Sequence, residues 1–272
     1  MTTGQDGIRD QVRARYGAHA RRVAAKDGAG DCCEPAASDC CDSAASSCCE
    51  PETLATARRL YTEGETEGLP TEALAASAGC GNPTALAGLR PGERVLDLGS
   101  GGGIDCFLAA RQVGETGRVT GLDMTPDMLE LARKNQAALG FTNVEFVQGE
   151  MESMPLPGDS FDVIISNCVV CLSPDKDAVF SESFRVLAPG GRIHLSDVLA
   201  LTPERPSSGA GVEDWVACAA GAEYREAYVD RLRRAGFEGI AITGEGIEFR
   251  DESEKDAYPG TASFKVTARK PA

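Results

Sequence analysis

The sequence predicts an α/β protein with a doubly wound, mostly parallel sheet. Two observations lead to this prediction: a buried strand that runs into a glycine-rich turn and a helix, and a regular alternation of strands and helices after it. The strand and turn read VLDLGSGGG over residues 95–103. Glycines allow a ligand to approach the backbone closely, and a helix N-terminus offers free N–H groups. The turn therefore predicts a nucleotide-type binding site.

The spacing of the glycines separates two classes of cofactor. A dinucleotide site needs G-x-G-x-x-G, but counting from Gly99 the last position falls on Ile104. Residues 97–103 instead read D-x-G-x-G-x-G, the pattern of S-adenosylmethionine methyltransferases. Asp123 ends the next predicted strand, where a carboxylate can accept hydrogen bonds from two ribose hydroxyls. The alternative is an α/β domain whose glycine turn binds nothing.

The elements after the turn alternate as a doubly wound sheet requires. Strands are predicted at 119–123, 144–147, 161–166 and 192–197, near Ile240 and at 264–268, and helices at 126–139, 176–187 and 223–235. Residues 199–221 interrupt this alternation. Ligands of such sheets bind beyond the carboxyl ends of the strands. Asn167 and Cys168, which follow the fourth strand, should therefore lie beside the cofactor.

The predicted cofactor site combines the glycine turn, the end of the second strand, the loop at 148–156 and the tip of the fourth strand. In class I methyltransferases that loop surrounds the adenine with an acidic side chain and backbone amides. The predicted cofactor-binding residues are Asp97, Gly99, Ser100, Gly101, Asp123, Met124, Gly149, Glu150, Met151 and Asn167.

The N-terminal part of the chain carries two further segments. Residues 7–26 predict a basic amphipathic helix, which we expect to dock on the acidic body; a membrane surface is the alternative. Residues 31–50 repeat cysteine pairs every eight residues, without apolar residues for a core. Neighbouring thiols are good ligands for soft metals or metalloids, so this arm could capture them. A passive tail is the other interpretation. A short helix is predicted at 54–61.

Composition limits the class of partner. The 272 residues carry a net charge of −15, which argues against a nucleic-acid substrate because phosphate binding needs clustered Lys and Arg. No apolar run approaches a membrane span, and the first residues lack a signal-peptide pattern. We therefore expect a cytoplasmic protein, monomeric, without a membrane partner. Eleven cysteines in such a compartment point to metal, metalloid or redox chemistry.

The candidate catalytic residues are cysteines. Methyl transfer to oxygen or nitrogen usually needs a general base, but the chain has only two histidines, and His194 lies inside a predicted strand where a structural role is expected. Sulfur surrounds the presumed methyl group instead: Cys80, Cys168, Cys171 and Cys218. Trivalent arsenic prefers thiolates and keeps a lone pair that can attack a methyl group without a base. Cys106, on the helix after the turn, is expected to be a small buried apolar residue.

The sequence resembles the arsenite S-adenosylmethionine methyltransferases, bacterial short form. The resemblance runs from about residue 78 to the C-terminus and is densest in GCGNPTALAGLRPGERVLDLGSGGGIDCFLAA, GLDMTPDML, SNCVVCLSPDK and VACAAGA. It implies that Cys80, Cys168 and Cys218 bind arsenic, delivered as thiol conjugates. It also implies that glutathione or thioredoxin supports turnover as a thiol reductant. The family usually has Asn where this chain has Cys171.

These inferences predict three regions: a basic helix and Cys-rich arm at 1–52, a methyltransferase domain at 53–200, and an arsenic-binding, closing segment at 201–272. The expected function is arsenite methylation in arsenic detoxification. Two alternatives remain. One is a small-molecule C- or O-methyltransferase whose cysteines are incidental, and the other is a thiol protein that sequesters metalloids without turnover.

Overall fold

A computed structural model describes residues 5–26, 60–77, 79–203, 221–244 and 260–272. The Cys-rich arm, most of the helix expected at 54–61, and Cys218 lie outside these ranges. The helices are α1 (Gln5–Lys26), α2 (Glu63–Thr66), α3 (Thr71–Ala75), α4 (Pro83–Ala87), α5 (Ile104–Val113), α6 (Pro126–Leu139), α7 (Lys176–Val186) and α8 (Arg225–Arg234), with a 3₁₀ turn at Val170–Leu172. The strands are β1 (Arg94–Leu98), β2 (Arg118–Asp123), β3 (Val144–Gln148), β4 (Phe161–Asn167), β5 (Leu187–Ala200), β6 (Glu223–Tyr224), β7 (Glu238–Thr243) and β8 (Thr261–Arg269).

The strands form one sheet in the order β3-β2-β1-β4-β5-β8-β7, and the short β6 pairs with β5. All pairs are parallel except those of β8, which runs antiparallel to β5 and β7. The strand order reverses between β1 and β4, so a crevice opens at the carboxyl ends of these two strands. The fold is the Rossmann-like, class I methyltransferase fold that the sequence predicts.

Alternate residues of the central strands pack on opposite faces of the sheet, as a period of two requires. Val95 of β1 belongs to the core that contains Phe107 of α5, and Leu96 to the core that contains Phe180 of α7. All four side chains are fully buried. Both faces of the sheet are therefore covered by helices. The carboxyl ends of the strands remain accessible to ligands.

Helix α1 docks on the body, as the sequence predicts. Arg9 forms ion pairs with Glu150 (3.6 Å) and Glu152 (3.3 Å), and Arg13 forms one with Glu150 at 3.1 Å. Val12, on its apolar face, is buried against the sheet edge. Within the described ranges, no helix has the length and apolarity needed to cross a membrane.

Several element boundaries differ from the prediction. The fifth strand begins at Leu187 instead of 192, and the C-terminal helix begins at Arg225 because Glu223 and Tyr224 pair with β5. Thr125 stands at the N-cap of α6, but its side chain accepts no capping hydrogen bond. None of these differences moves the carboxyl edge of the sheet.

His194 lies within β5, in the structural position expected for it. Its Nδ1 atom is buried without a hydrogen-bond partner among the described residues. Burial, and then the charges of Arg192 and Arg269, lower the pKa of His194 to about 4. The ring is therefore neutral in the folded protein near neutral pH.

We expect His194→Gln to reduce the acid sensitivity of the fold. The unfolded chain takes up a proton near pH 6.5, whereas the folded chain takes it up only near pH 4. Histidine thus lowers the free energy of unfolding as the pH falls through this window. Urea denaturation at pH 7 and pH 4.5 measures the effect. If the free energy of unfolding falls by the same amount in the variant and the parent between pH 7 and pH 4.5, the prediction is wrong.

Candidate active site

A cleft of about 950 Å³ lies at the carboxyl ends of β1, β2 and β4. Its walls come from the glycine turn, the end of β2, the loop after β3 and the tip of β4. Helix α1 supplies a further wall through Arg9, Val12 and Tyr16. The cleft therefore lies where the sequence places the cofactor.

The glycine turn forms one side of the cleft. Gly99 and Gly101 adopt positive φ angles of 68° and 50°, in the left-handed region that favours glycine. A Cβ atom at Gly99 would approach Val169 to 2.4 Å. The amide of Gly101 donates to Asp123 Oδ2 at 2.9 Å, and the amide of Thr125 donates to Oδ1 at 2.8 Å. The acidic residue and the turn are thus held together as one unit.

Polar atoms remain available in this wall. The Oγ atom of Ser100, a residue that lines the cleft, is buried without a hydrogen-bond partner among the described residues. An orphaned buried hydroxyl costs stability unless a ligand satisfies it. The cleft thus fits a ligand with hydroxyl or other polar groups next to the glycine turn.

Asn167, at the end of β4, connects four parts of the chain. Its Oδ1 atom accepts from the amides of Cys80 (2.9 Å) and Gly81 (3.1 Å). Its Nδ2 atom donates to Gly81 O (2.8 Å), to Tyr61 Oη (3.1 Å) and to Asp105 Oδ2 (3.2 Å). Asn167 thereby fixes the loop that carries the first candidate cysteine at the edge of the cleft.

Cys168 follows directly and lines the cleft. It is a non-glycine residue with a φ of 60°, and its amide donates to Ser196 O at 2.7 Å. Such a conformation costs about 1–3 kcal/mol, so the surrounding structure must hold it in place. Cys80 does not contact the cleft directly, but it is buried in the same apolar cluster as Cys168 and Cys171. The structure therefore places Cys80 and Cys168 in one apolar cluster, but the group of ligand atoms that lie within 4.8 Å of one another contains Cys168 and Cys171 and not Cys80.

Three carboxylates lie at the turn: Asp97 and Asp105 are buried, and Asp123 is partly buried. Burial raises the pKa of Asp105 to about 6, although Asn167 and Tyr61 donate hydrogen bonds to it. Burial and the charge of Asp105 raise the pKa of Asp97 well above its ordinary value, and burial also raises the pKa of Asp123. Burial thus penalises the charged form of each carboxyl group, and a positive charge nearby would stabilise that form.

Most of the predicted cofactor-binding residues line the cleft: Gly99, Ser100, Gly101, Asp123, Met124, Gly149, Met151 and Asn167. Two do not. Asp97 lies behind the wall and accepts a hydrogen bond from the Cys106 thiol at 3.2 Å. Glu150 faces the arginines of α1, and the neighbouring Glu152 lines the cleft instead. Cys218 lies outside the described residues.

The sequence reasoning missed Asp105, Tyr61 and the wall formed by α1. Asp105 had one available signal, an acidic side chain in the first turn of the helix that follows the glycines. Tyr61 contacts Asp105 across 44 positions of sequence, with Oη donating at 3.0 Å. No local pattern reveals such a contact.

Comparisons with known proteins agree with this geometry. A family model described as a methyltransferase domain matches residues 89–259. An arsenite methyltransferase of Halobacterium salinarum is 40% identical over 268 residues, covering 97% of this chain and 67% of that protein. The chain belongs to the arsenite methyltransferase family.

Other arsenite methyltransferases have a similar percentage of identical residues over shorter stretches of this chain. The arsenite methyltransferase of Aquipseudomonas alcaligenes is 43% identical over 169 residues, covering 58% of this chain and 47% of that protein. The chain thus spans about half the length of that relative. The crystal structure of CrArsM, an arsenic (III) S-adenosylmethionine methyltransferase from Chlamydomonas reinhardtii, matches with a TM-score of 0.64 and 38% identity, covering 82% of this chain and 74% of that chain.

In this arsenite methyltransferase family member, Asn167→Ala tests the connecting role of the amide. We expect a loss of about 2 kcal/mol or more in the free energy of unfolding, because buried donors and the Asp105 carboxylate lose their partners. We also expect weaker cofactor binding, since the Cys80 loop is released. Urea denaturation and calorimetry measure the two effects. Unchanged stability would show that water replaces the amide without cost.

Proposed function

We propose that the protein transfers a methyl group from S-adenosylmethionine to trivalent arsenic held by its thiolates. The observation that supports this most is the position of Cys168, which lines the cleft beside the glycine turn. Donor and acceptor sites therefore share one wall at the tip of β4. Membership of the arsenite methyltransferase family adds to this support.

The residues of the cleft fit the donor. Gly99 and Gly101 allow close approach of its amino-acid part to the backbone, and Asp123 accepts from its ribose hydroxyls. Met151 and Gly149 line the end of the cleft where the adenine would lie. The orphaned hydroxyl of Ser100 gains a partner when the cleft is filled. When bound, S-adenosylmethionine supplies an electrophilic methyl group on a positively charged sulfur.

The acceptor side needs thiols and no general base. Cys80, Cys168 and Cys218 would each bind arsenic by replacing a carrier thiol, whose sulfur leaves with the proton of the cysteine. Arsenic stays trivalent during this exchange and keeps its lone pair. The protein's task is then to hold the lone pair in line with the methyl group, which is a positioning effect. The buried, fixed loop that carries Cys80 serves this purpose.

A thiol reductant completes the cycle. Use of the lone pair oxidises arsenic by two electrons, so two thiols must be oxidised to a disulfide before the product is trivalent again. Glutathione or thioredoxin would supply these electrons. The four cysteines in the described ranges form no disulfide, and we propose a reducing compartment such as the cytoplasm. We further propose that the protein acts as a monomer.

Product analysis tests the proposal. The full-length protein is incubated with arsenite, S-adenosylmethionine and glutathione, and the arsenic species are separated by chromatography and identified by mass spectrometry. We expect methylated arsenic to form in proportion to time. Reactions without the methyl donor, and with Cys168→Ser, are the controls. Tight arsenic binding without a methylated product would favour sequestration instead.

A further inference from the structure

Behind Cys168, the structure places two more groups that can bind a soft ion. The Sγ atoms of Cys168 and Cys171 and a carboxylate oxygen of Asp197 all lie within 4.8 Å of one another. All three residues are buried, with 5% or less of their surface exposed. Two thiols and a carboxylate therefore converge at the inner edge of the cleft.

The local fold holds Cys171 in this position. The 3₁₀ turn that contains it follows Cys168 directly, and the amide of Cys171 donates to Asp197 Oδ1 at 3.2 Å. The hydroxyl of Tyr228 donates to Asp197 Oδ2 at 3.1 Å. Lys176 Nζ donates to the carbonyl of Cys171 at 3.3 Å. The second thiol is thus fixed by contacts from β5, α7 and α8.

The separation of the two sulfurs suits one soft atom bound between them. Thiolate bonds to a soft atom are about 2.3 Å long, and trivalent arsenic is pyramidal with bond angles of about 100°, so two sulfurs on one arsenic lie about 3.5 Å apart. The sulfurs of Cys168 and Cys171 lie within 4.8 Å of each other, and rotation about their side-chain bonds closes the remaining distance. Cys168 lines the cleft, so an atom bound there stays in contact with the reaction space.

We propose that Cys171 is an additional arsenic-binding residue, which forms a two-thiolate site for trivalent arsenic together with Cys168. This inference rests on the proposed function, because arsenic is the substrate of that reaction. In the exchange, the bond between arsenic and a carrier sulfur breaks, the bond to Cys171 Sγ forms, and the thiol proton leaves with the carrier. Arsenic remains trivalent, so no oxidant or reductant takes part.

The consequence concerns acceptors with two exchangeable positions, such as monomethylated arsenic. Cys168 and Cys171 together fill both positions. Such an acceptor can then be held at the tip of β4 without Cys80 or Cys218. Asp197 is a positioning residue in this arrangement, because it fixes the backbone of Cys171 through the amide.

Phenylarsine oxide, which has two exchangeable positions, is the probe for the test. The background is the full-length chain in which the paired cysteines 32, 33, 40, 41, 48 and 49, together with Cys80 and Cys218, are all replaced by serine. Cys106, Cys168 and Cys171 remain. We expect one probe per chain, with two sulfur neighbours around arsenic by X-ray absorption.

Adding Cys171→Ser to this background should weaken binding about 100-fold or more, because the second bond no longer forms within one chain. Cys171→Ala serves as a second variant, and the far-ultraviolet circular dichroism of each is compared with that of the parent. Cys106→Ser is the matched control, since this buried thiol binds Asp97 away from the site. It should leave the probe's affinity unchanged.

Two results would overturn the proposal: no binding in the background chain, or equal affinity and two sulfur neighbours after Cys171→Ser. Either result would show that Cys171 does not bind arsenic together with Cys168. The binding measurements need no methyl donor, whereas the proposed function is tested by product analysis of the unsubstituted protein. Failure of one is therefore distinguishable from failure of the other.

Discussion

Replacement of Cys168 by serine should lower the methylation of arsenite and of monomethylated arsenic by about a hundredfold or more, or about 2.7 kcal/mol in the activation free energy. The hydroxyl is a poor ligand for a soft atom, and Cys168 is the candidate thiol that lines the cleft. Steady-state rates with each acceptor measure the effect. Affinity for S-adenosylmethionine, followed by calorimetry, should stay unchanged.

The backbone at this position offers a matched control. Because Cys168 has a φ of 60°, Cys168→Gly removes the side chain and relieves conformational strain. We expect this variant to unfold at a urea concentration no lower than that of Cys168→Ser, and to be equally inactive. If either variant methylates arsenic at the parental rate, Cys168 is not the ligand that we propose.

Asp123→Ala should weaken the binding of S-adenosylmethionine ten- to a hundredfold. The carboxylate lines the cleft at the end of β2, and each charge-assisted hydrogen bond to a ribose hydroxyl is worth about 1.5–3 kcal/mol. The same carboxylate accepts from the amides of Gly101 and Thr125, so part of the loss comes through the turn. Titration calorimetry with the donor measures the change.

Asp123→Asn separates the two contributions, because it keeps an acceptor oxygen while removing the charge. Asp162→Asn is the control for the loss of an acidic residue elsewhere, since Asp162 pairs with Arg94 at the opposite ends of the strands. It should leave donor affinity unchanged. If the affinity after Asp123→Ala is also unchanged, Asp123 does not bind the ribose.

The fold could be predicted because its signals are local. The strand and glycine turn at 95–103 combine a buried apolar run with residues that tolerate positive φ, and helix and strand periods alternate after them. Eight of the ten predicted cofactor residues line the cleft because the carboxyl ends of parallel strands meet at one edge. The positions of these residues along the chain are therefore sufficient to predict that they lie in the site.

The remaining features depend on contacts between distant segments. Asn167 was predicted to touch the cofactor, but its hydrogen bonds to Cys80 and Tyr61 span 87 and 106 positions, so its connecting role has no local pattern. Glu150 and Glu152 are both acidic, lie two positions apart, and both pair with Arg9 of α1. No local pattern indicates that Glu152 lines the cleft and Glu150 does not.

The buried carboxylates at the glycine turn also affect what happens after the reaction. Asp105, with a pKa of about 6, is mostly ionised near neutral pH, and Asp97 and Asp123 lie beside it. Methyl transfer removes the positive charge from the donor's sulfur, so the by-product is neutral at that atom. An ionised Asp105 would therefore attract the fresh donor more strongly than the spent one. This difference in charge would favour the exchange of the spent cofactor for fresh donor.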